Sequence, residues 1–251
     1  MANALSRYAT FPFESMLFGP AYGWLRFKIR SPEPLDAEAA WDEVTGKIPP
    51  VFDWLRQNYP PTFMRSVLIA SHMRQAHVKG IAAHYDVSNA FYKLFLDDKY
   101  MFYTCADFPT GTETIEEAQG IKANHLVSLI DPHPGGRLVQ HFFCRNESRL
   151  PATAIVGQIF FPGSLNAAYA DHVRWNEAAG FRITQRTIHD YRPTLRAWFN
   201  KLVANRDEAI KLVGVETYNR YVLFFPSAYR YFDDGVGKLV RWLMEKPAAR
   251  P

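Results

Sequence analysis

The chain has 251 residues, 48% hydrophobic and 22% charged, which supplies enough apolar material for one buried globular core with an appended segment. Its formal net charge of +4 suits an anionic surface, phospholipid head groups as much as nucleic acid. No stretch approaches the roughly 20 apolar residues that span a bilayer, and the start MANALSRYATFPFESM lacks the apolar run of a secretion signal.

Prolines and scattered aromatics (Phe11, Pro12, Phe13, Phe18, Pro20, Tyr22, Trp24) open the chain without a sustained period, so an irregular arm precedes a short helix. Asp36 is placed to cap that helix through Ala37, Ala40 and Trp41, and Pro49-Pro50 should stop it. A turn-rich piece then ends at Pro60-Pro61, which divides the chain into an arm over residues 1–61 and a domain over 62–251.

Thr62 to Lys79 reads as a helix with Phe63, Met64, Val67, Leu68 and Met73 on one side and Arg65, His72, Arg74, His77 and Lys79 on the other. It is either an amphipathic helix lying on lipid or an ordinary surface helix with a solvated basic side. The helical pattern continues from Ile81 to Asp98, and Thr112 or Thr114 caps an acidic helix through Ile121, Leu126 and Leu129. Arg137 to Cys144 is rich in strand formers and reads as a buried strand. Residues 164 to 180 are helical, Phe181 to Asp190 a strand, Thr194 to Val213 and Glu216 to Phe232 helices, and Lys238 to Met244 a closing strand. Cys105 and Cys144 sit in different contexts and are expected as free thiols in a reducing compartment.

AHYDVSNAFYKLFLDDKYMFYTCADF, over Ala83 to Phe108, resembles the signature of cyclopropane-fatty-acyl-phospholipid synthases and their mycolic-acid relatives. His84-Tyr85-Asp86, Asn89, Phe91-Tyr92, Tyr103-Thr104-Cys105-Ala106 and Glu117-Ala118-Gln119 follow that family's order and spacing. Downstream, PGGRLVQHFF, IFFPGS, Glu177 to Phe181, Asp190-Tyr191 before Thr194 to Trp198, and Tyr231 to Gly235 resemble its carboxy-terminal half. The family follows the EAQ helix with a strand and a glycine-rich loop that cradles the nucleoside of S-adenosylmethionine, whereas here Leu129 runs almost directly into PGGRL.

The resemblance therefore implies an α+β, predominantly helical fold with a small residual sheet from a truncated Rossmann-like methyltransferase, and an acyl-chain-binding domain over 62–251 without the cofactor-binding core. It implies catalytic roles for Cys105, His141 and Tyr191, which match the family's cysteine, histidine and tyrosine around a bicarbonate ion, the family's glutamate having no match. A small oxyanion such as bicarbonate is thus one expected cofactor, and the missing loop argues against S-adenosylmethionine. His84, Tyr85, Asp86, Tyr92, Tyr103, Phe224, Phe225 and Tyr229 are expected to contact substrate. Whether Cys105, His141 and Tyr191 form a retained site or have become packing residues stays open.

The functional expectation is modification of unsaturated or methyl-branched acyl chains without S-adenosylmethionine, for instance oxidative tailoring of the furan-fatty-acid type, by a lipid-modifying enzyme that is not a stand-alone methyltransferase. The alternative is a non-catalytic lipid-binding subunit of a methyltransferase or flavin-dependent reductase complex. Expected partners are membrane phospholipid acyl chains and a second copy, a methyltransferase or a flavoprotein, but no nucleic acid. The expected place is the cytoplasm, peripheral on the inner membrane face. His72, His77 and His84 with His125 or Glu117 make a weaker iron or zinc reading, and no metal site is assigned.

Overall fold

The computed structural model describes residues 20–58, 61–67, 69–70, 87–129, 136–147, 150–151, 153–162 and 164–245. They fall into two compact units, one drawn from Met1–Ser88, Arg149–Leu165 and Arg206–Phe224, the other from Asn89–Ser148, Asn166–Asn205 and Phe225–Pro251.

The first unit is helical. It holds α1 (Pro20–Ile29), α2 (Ala37–Thr45) and α3 (Pro50–Asn58), and residues 62–67 are also helical. Asp36 caps α2 as expected, its carboxylate accepting the Ala39 N–H at 3.1 Å. The helix ends at Gly46 rather than at the prolines, and Pro50 instead opens α3, where a missing N–H costs no hydrogen bond. Of the helix expected from Thr62 to Lys79, residues 71–79 lie outside the described residues. The unit is completed by α6 (Thr153–Phe160), packed on α1, and by the first part of α9 (Arg206–Asp233), with Trp41, Phe160, Tyr218 and Tyr221 buried.

A buried amide, Asn219, ties α9 to the loop before α2. Its Oδ1 accepts the Leu35 N–H at 2.9 Å, while Nδ2 donates to the carbonyls of Glu33 at 3.0 Å and Ser31 at 3.4 Å. Removing the amide leaves those backbone groups to find water or go unpaired, at roughly 1 to 3 kcal/mol.

The second unit contains α4 (Asn89–Lys93), α5 (Ile115–Leu129), β1 (Arg137–Arg145), α7 (Tyr169–Ala178), β2 (Arg182–His189), α8 (Arg192–Ala204), the end of α9 and β3 (Gly237–Glu245). The last strand is inserted between the other two, giving the order β1-β3-β2 with β3 antiparallel to both. Alternation along β3 sends Val240, Trp242 and Met244 to one face, where they pack with Cys144, Phe142 and Ile183 beneath Tyr169 and Val173 of α7. Arg241 is sent to the other. Gly180, at φ 83, closes α7 before β2, and Gly237 lets the Tyr231 ring approach where a Cβ would clash with it.

Four expectations change here. Beyond Ser88 the helix expected from Ile81 to Asp98 is confined to α4, because Asp97 accepts the N–H groups of Tyr100 and Phe102 and closes a turn with Met101 at φ 53. Thr194 to Val213 is not one helix: Asn205 ends α8 by donating its side-chain amide to the Lys201 and Leu94 carbonyls, and Gly214 at φ 79 kinks the helix that follows. Only Tyr169–Ala178 of residues 164 to 180 is α-helical. The strand expected to be buried, β1, is an edge of the sheet with Leu138 and Phe143 exposed. The α+β, mainly helical class with one small sheet stands.

Asn219→Ala should lower the urea midpoint by an amount equivalent to about 1 to 3 kcal/mol without changing the m-value. An unchanged midpoint would mean that the 31–35 loop is held by other groups.

Candidate functional site

Helix α5 builds one wall of the second unit. Ile115, Ala118, Gln119 and Lys122 are its buried residues, at the i, i+3, i+4, i+7 spacing of one helical face. Thr114 and Glu117 form a reciprocal cap: the Glu117 carboxylate accepts the Thr114 N–H at 2.8 Å and the Thr114 hydroxyl accepts the Glu117 N–H at 3.2 Å. Gln119 donates to the Thr104 carbonyl at 2.8 Å, the Lys122 ammonium donates to the Thr104 hydroxyl at 2.7 Å, and the Asp107 N–H donates to the Ala118 carbonyl at 3.2 Å. The Glu-Ala-Gln segment thus clamps the stretch that carries Cys105 and Asp107.

The opposite wall is the polar face of the sheet. Register sets His141 of β1, Arg241 of β3 and Thr187 of β2 in one row across three strands, with His189 two residues beyond Thr187 on the same side. Arg241, only 3% exposed, clasps Asp107 with two parallel bonds, from Nη1 to Oδ2 at 3.0 Å and from Nη2 to Oδ1 at 2.8 Å. His189 Nδ1 lies 3.5 Å from Asp107 Oδ1, and its Nε2 lies 2.9 Å from the Thr187 hydroxyl. The His141 and His189 rings are 5.4 Å apart, and His141 Nε2 is buried without a hydrogen-bond partner.

Burial pushes the Asp107 carboxyl upward, but the hydrogen bonds and charge of Arg241, joined by the two histidines, outweigh it and hold the group below its usual value. Burial, then the Arg241 charge, drives His141 down to about 3, so its imidazole is neutral at physiological pH. His189 is lowered by the same two causes, with Asp107 pulling the other way. Burial raises the Cys105 thiol to about 12, which leaves it protonated and unsuited to act as a thiolate nucleophile. Its Sγ lies 3.2 Å from the Ala106 carbonyl and 3.5 Å from the Asp190 carbonyl, and it accepts from the Thr194 hydroxyl at 3.7 Å. Lys122 falls to about 8, mainly through desolvation.

Of the residues expected in catalysis, Cys105 and His141 border the Asp107–Arg241 pair. Tyr191 lies one residue past the Asp190 carbonyl that faces Cys105, its ring against Trp198 at 5.9 Å and Phe232 at 5.2 Å. Tyr92 and Tyr103 join Phe91, Phe95, Trp198 and Phe225 in a continuous aromatic cluster, the Tyr103 ring 5.1 Å from Trp198 and the Phe225 ring 5.5 Å from Phe95. Tyr229 is half-buried one turn beyond Phe225. Phe224 is not part of this cluster: it packs on Phe160, Phe161 and Tyr221 in the first unit. His84, Tyr85 and Asp86 lie outside the described residues, as do His72 and His77. Among the described residues no three His, Cys, Asp or Glu side chains are grouped to hold a metal ion.

Sequence reasoning missed Asp107, Lys122, His189 and Arg241. One signal was available: Arg241 interrupts the apolar run Leu239 to Met244, and a charge inside such a strand needs a buried partner.

Residues 72–141 and 133–242 match the family model described as mycolic acid cyclopropane synthetase. A probable fatty acid methyltransferase of Pseudomonas putida is 41% identical over 69 residues, 28% of this chain and 17% of that protein. The S-adenosylmethionine-dependent methyltransferase UmaA of Mycobacterium tuberculosis is 30% identical over 93 residues, 36% of this chain and 32% of that protein. The chain therefore spans under a third of the length of these curated relatives. The crystal structure of mycolic acid cyclopropane synthase CmaA1 complexed with SAH and CTAB shares the fold, with a TM-score of 0.59 at 17% identity, covering 68% of this chain and 98% of that one.

These findings correct two expectations. One relative is an S-adenosylmethionine-dependent methyltransferase and another was solved with SAH, so the argument against that cofactor fails. Acyl-chain modification without it, the furan-type oxidation included, fails on the same ground. The misleading signal was the short segment between Leu129 and Gly136, read as loss of the whole cofactor chemistry.

A histidine whose folded value is depressed stabilises the fold above its unfolded value, near 6.5, and that stability is lost as pH falls toward 3. The loss from His141 between pH 7 and pH 5 should be about 1 to 2 kcal/mol, allowing for solvent screening. His141→Gln should flatten the fall in urea midpoint over that interval by this amount. Parallel curves for the two proteins would show that His141 takes up its proton normally.

Proposed function

Because this chain belongs to the mycolic acid cyclopropane synthetase family, we propose that it modifies an acyl chain of a lipid in S-adenosylmethionine-dependent chemistry, with the second unit handling the reacting segment of that chain. The observation that carries this reading is the juxtaposition of an aromatic cluster, Tyr92, Phe95, Tyr103, Trp198 and Phe225, with a polar group made of the buried Arg241 and the half-buried Asp107, His141 and His189. Tyr103 and Cys105 stand two residues apart on one stretch, and Trp198 lies one helical turn beyond Thr194, which bonds Cys105. Apolar rings suit a hydrocarbon tail, and neutral imidazoles beside a fixed carboxylate suit removal of a proton from a carbon next to an electron-deficient centre.

When bound, the cofactor supplies an electrophilic methyl group. Among the described residues no strand runs through a glycine-bearing turn into a helix: β1 leads to Asn146-Glu147, and β2 leads through Asp190-Tyr191 to α8. The described residues thus do not themselves make a nucleoside cradle, and the chemistry assigned to them is binding, orientation and proton handling. Cys105 and Thr194 hold the 105–107 stretch, Arg241 keeps Asp107 ionised, and the sheet face excludes water around His141.

Our reading further holds that the core between α5 and β1 is shortened relative to full-length members, supported by a family match in two overlapping segments, 72–141 and 133–242. A second copy or another chain would then cover the outer edge of β1. It also sets the protein against a lipid surface, supported by the exposed Phe27, Trp54 and Phe63 of the first unit. No helix of the described residues is long and apolar enough to cross a membrane.

Protein incubated with S-adenosylmethionine bearing a deuterated methyl group and vesicles of mono-unsaturated phospholipid should yield acyl chains that carry the label by lipid mass spectrometry. Unlabelled lipid, together with no heat on titrating S-adenosylmethionine into the protein, would overturn the proposal.

A further inference from the structure

The two edges of the sheet differ in how they are guarded. β2 carries Arg182 and Arg186, and its ladder with β3 is interrupted between Ile183 and Gln185, features that blunt an edge against further pairing. β1 has neither device: it runs in unbroken register with β3, without proline or bulge, and its charged residues, Arg137 and Arg145, stand at the two ends. The direction of its backbone groups follows from the end of the strand. The Arg145 N–H leaves the sheet and donates to the Ala167 carbonyl at 2.9 Å, whereas the Asn146 N–H points inward to the Val236 carbonyl at 2.9 Å. In an antiparallel ladder both backbone groups of a residue point the same way and the direction alternates, so Arg137, Val139, His141 and Phe143 turn theirs away from β3. Among the described residues nothing pairs with them. Exposed apolar side chains lie on both faces of this edge, Leu138 on the α7 side and Phe143 on the polar side. The side-chain Oε1 of Gln140 is buried without a hydrogen-bond partner.

We propose that β1 pairs antiparallel with β1 of a second copy about a two-fold axis at Gln140, which joins the two sheets into one. The inference names what covers the edge, and it rests on the reading above that the core before β1 is shortened. Three constraints select this register. Pairing must stop at Phe143, because the outward N–H of Arg145 is already taken by Ala167. With Gln140 opposite Gln140, Arg137 stands opposite Phe143 and Val139 opposite His141, so all the outward residues exchange both backbone groups. Centring on Val139 would leave Phe143 unpaired, and centring on His141 would bring Arg137 against the occupied Arg145. Charge is the second constraint: the two copies of Arg137 lie at opposite ends of the pairing, each facing a ring rather than another cation. The third is the Gln140 amide, which both donates and accepts, so two facing copies satisfy each other, whereas a strand of another protein would need a matching group at that place. Leu138 then meets Phe142 of the second copy on the α7 face. On the polar face Val139 of the second copy stands beside His141, so the partner completes the outer side of the candidate site.

The purified full chain, without lipid or cofactor, tests this independently of the acyl-chain reading. Light scattering after size exclusion should give the mass of two chains at micromolar concentration, and the backbone amides of Val139, His141 and Phe143 should be protected from hydrogen exchange. Under mild oxidation Gln140→Cys should form a disulfide between copies, because residues opposed across such a pair lie within disulfide reach, whereas Leu138→Cys and the wild-type chain should not. Phe143→Lys, which sets a cation opposite Arg137 of the second copy, should dissociate about 10-fold more readily than Phe143→Glu, which sets an anion there. Val139→Pro removes an N–H that β3 does not use and should give a folded monomer. A monomeric wild-type chain whose three amides exchange freely would overturn the proposal and leave the shortened core standing. A monomer with those amides protected would overturn both, since the chain itself would then cover the edge. A dimer in which Gln140→Cys fails to cross-link, or in which Phe143→Lys and Phe143→Glu dissociate alike, would put the contact elsewhere and overturn the proposal as well.

Discussion

The bidentate pair between Arg241 and Asp107 is the constraint on which the second unit depends. Arg241 stands in the central strand, with His141 and Thr187 beside it in register on the flanking strands, so its direction sets what the polar face of the sheet presents. Asp107 belongs to a loop stretch, and it is held by the guanidinium on one side and by its N–H to the Ala118 carbonyl on the other. A buried guanidinium without this partner would be an uncompensated charge. Arg241 keeps the carboxylate ionised, and burial with the Arg241 charge, opposed by Asp107, keeps both imidazoles neutral. Packing of the loop and the charge state of the site are thus two consequences of one contact.

Local signals carried most of the fold into the sequence. The Asp36 cap, a threonine cap on the acidic helix and the short strands were legible because each depends on residues within a few positions. The failures came where a distant or side-chain contact overrode local pattern. Asp97 closes a turn where helix period continued, Asn205 ends a helix by reaching the Leu94 carbonyl, and insertion of the last strand makes β1 an edge. The site shows the same division. Cys105 and His141 were reached through motif order, but Asp107, Arg241 and His189 meet only because β3 lies between β1 and β2, which no stretch of sequence encodes by itself.

The cofactor expectation failed for a related reason. A short segment between two motifs says how many residues lie there, and not which chemistry the family performs. Membership rests on the match over residues 72–242, and methyl-transfer chemistry on the polar face belongs to the proposed function. In the proposed function the aromatic cluster accommodates hydrocarbon, and the sheet face beside it supplies a polar surface where a fixed carboxylate counts for more than it would in water.

The dependence on a single ion pair is tested most directly by a double-mutant cycle on stability with Asp107→Leu, Arg241→Met and both together. Asp107→Leu should cost about 3 to 5 kcal/mol in urea unfolding because it strands the buried Arg241, Arg241→Met should cost less because Asp107 is half-buried, and the double change should cost less than Asp107→Leu alone. A double variant destabilised by the sum of the two single losses would mean that Arg241 and Asp107 act independently, and the account of this site would be wrong.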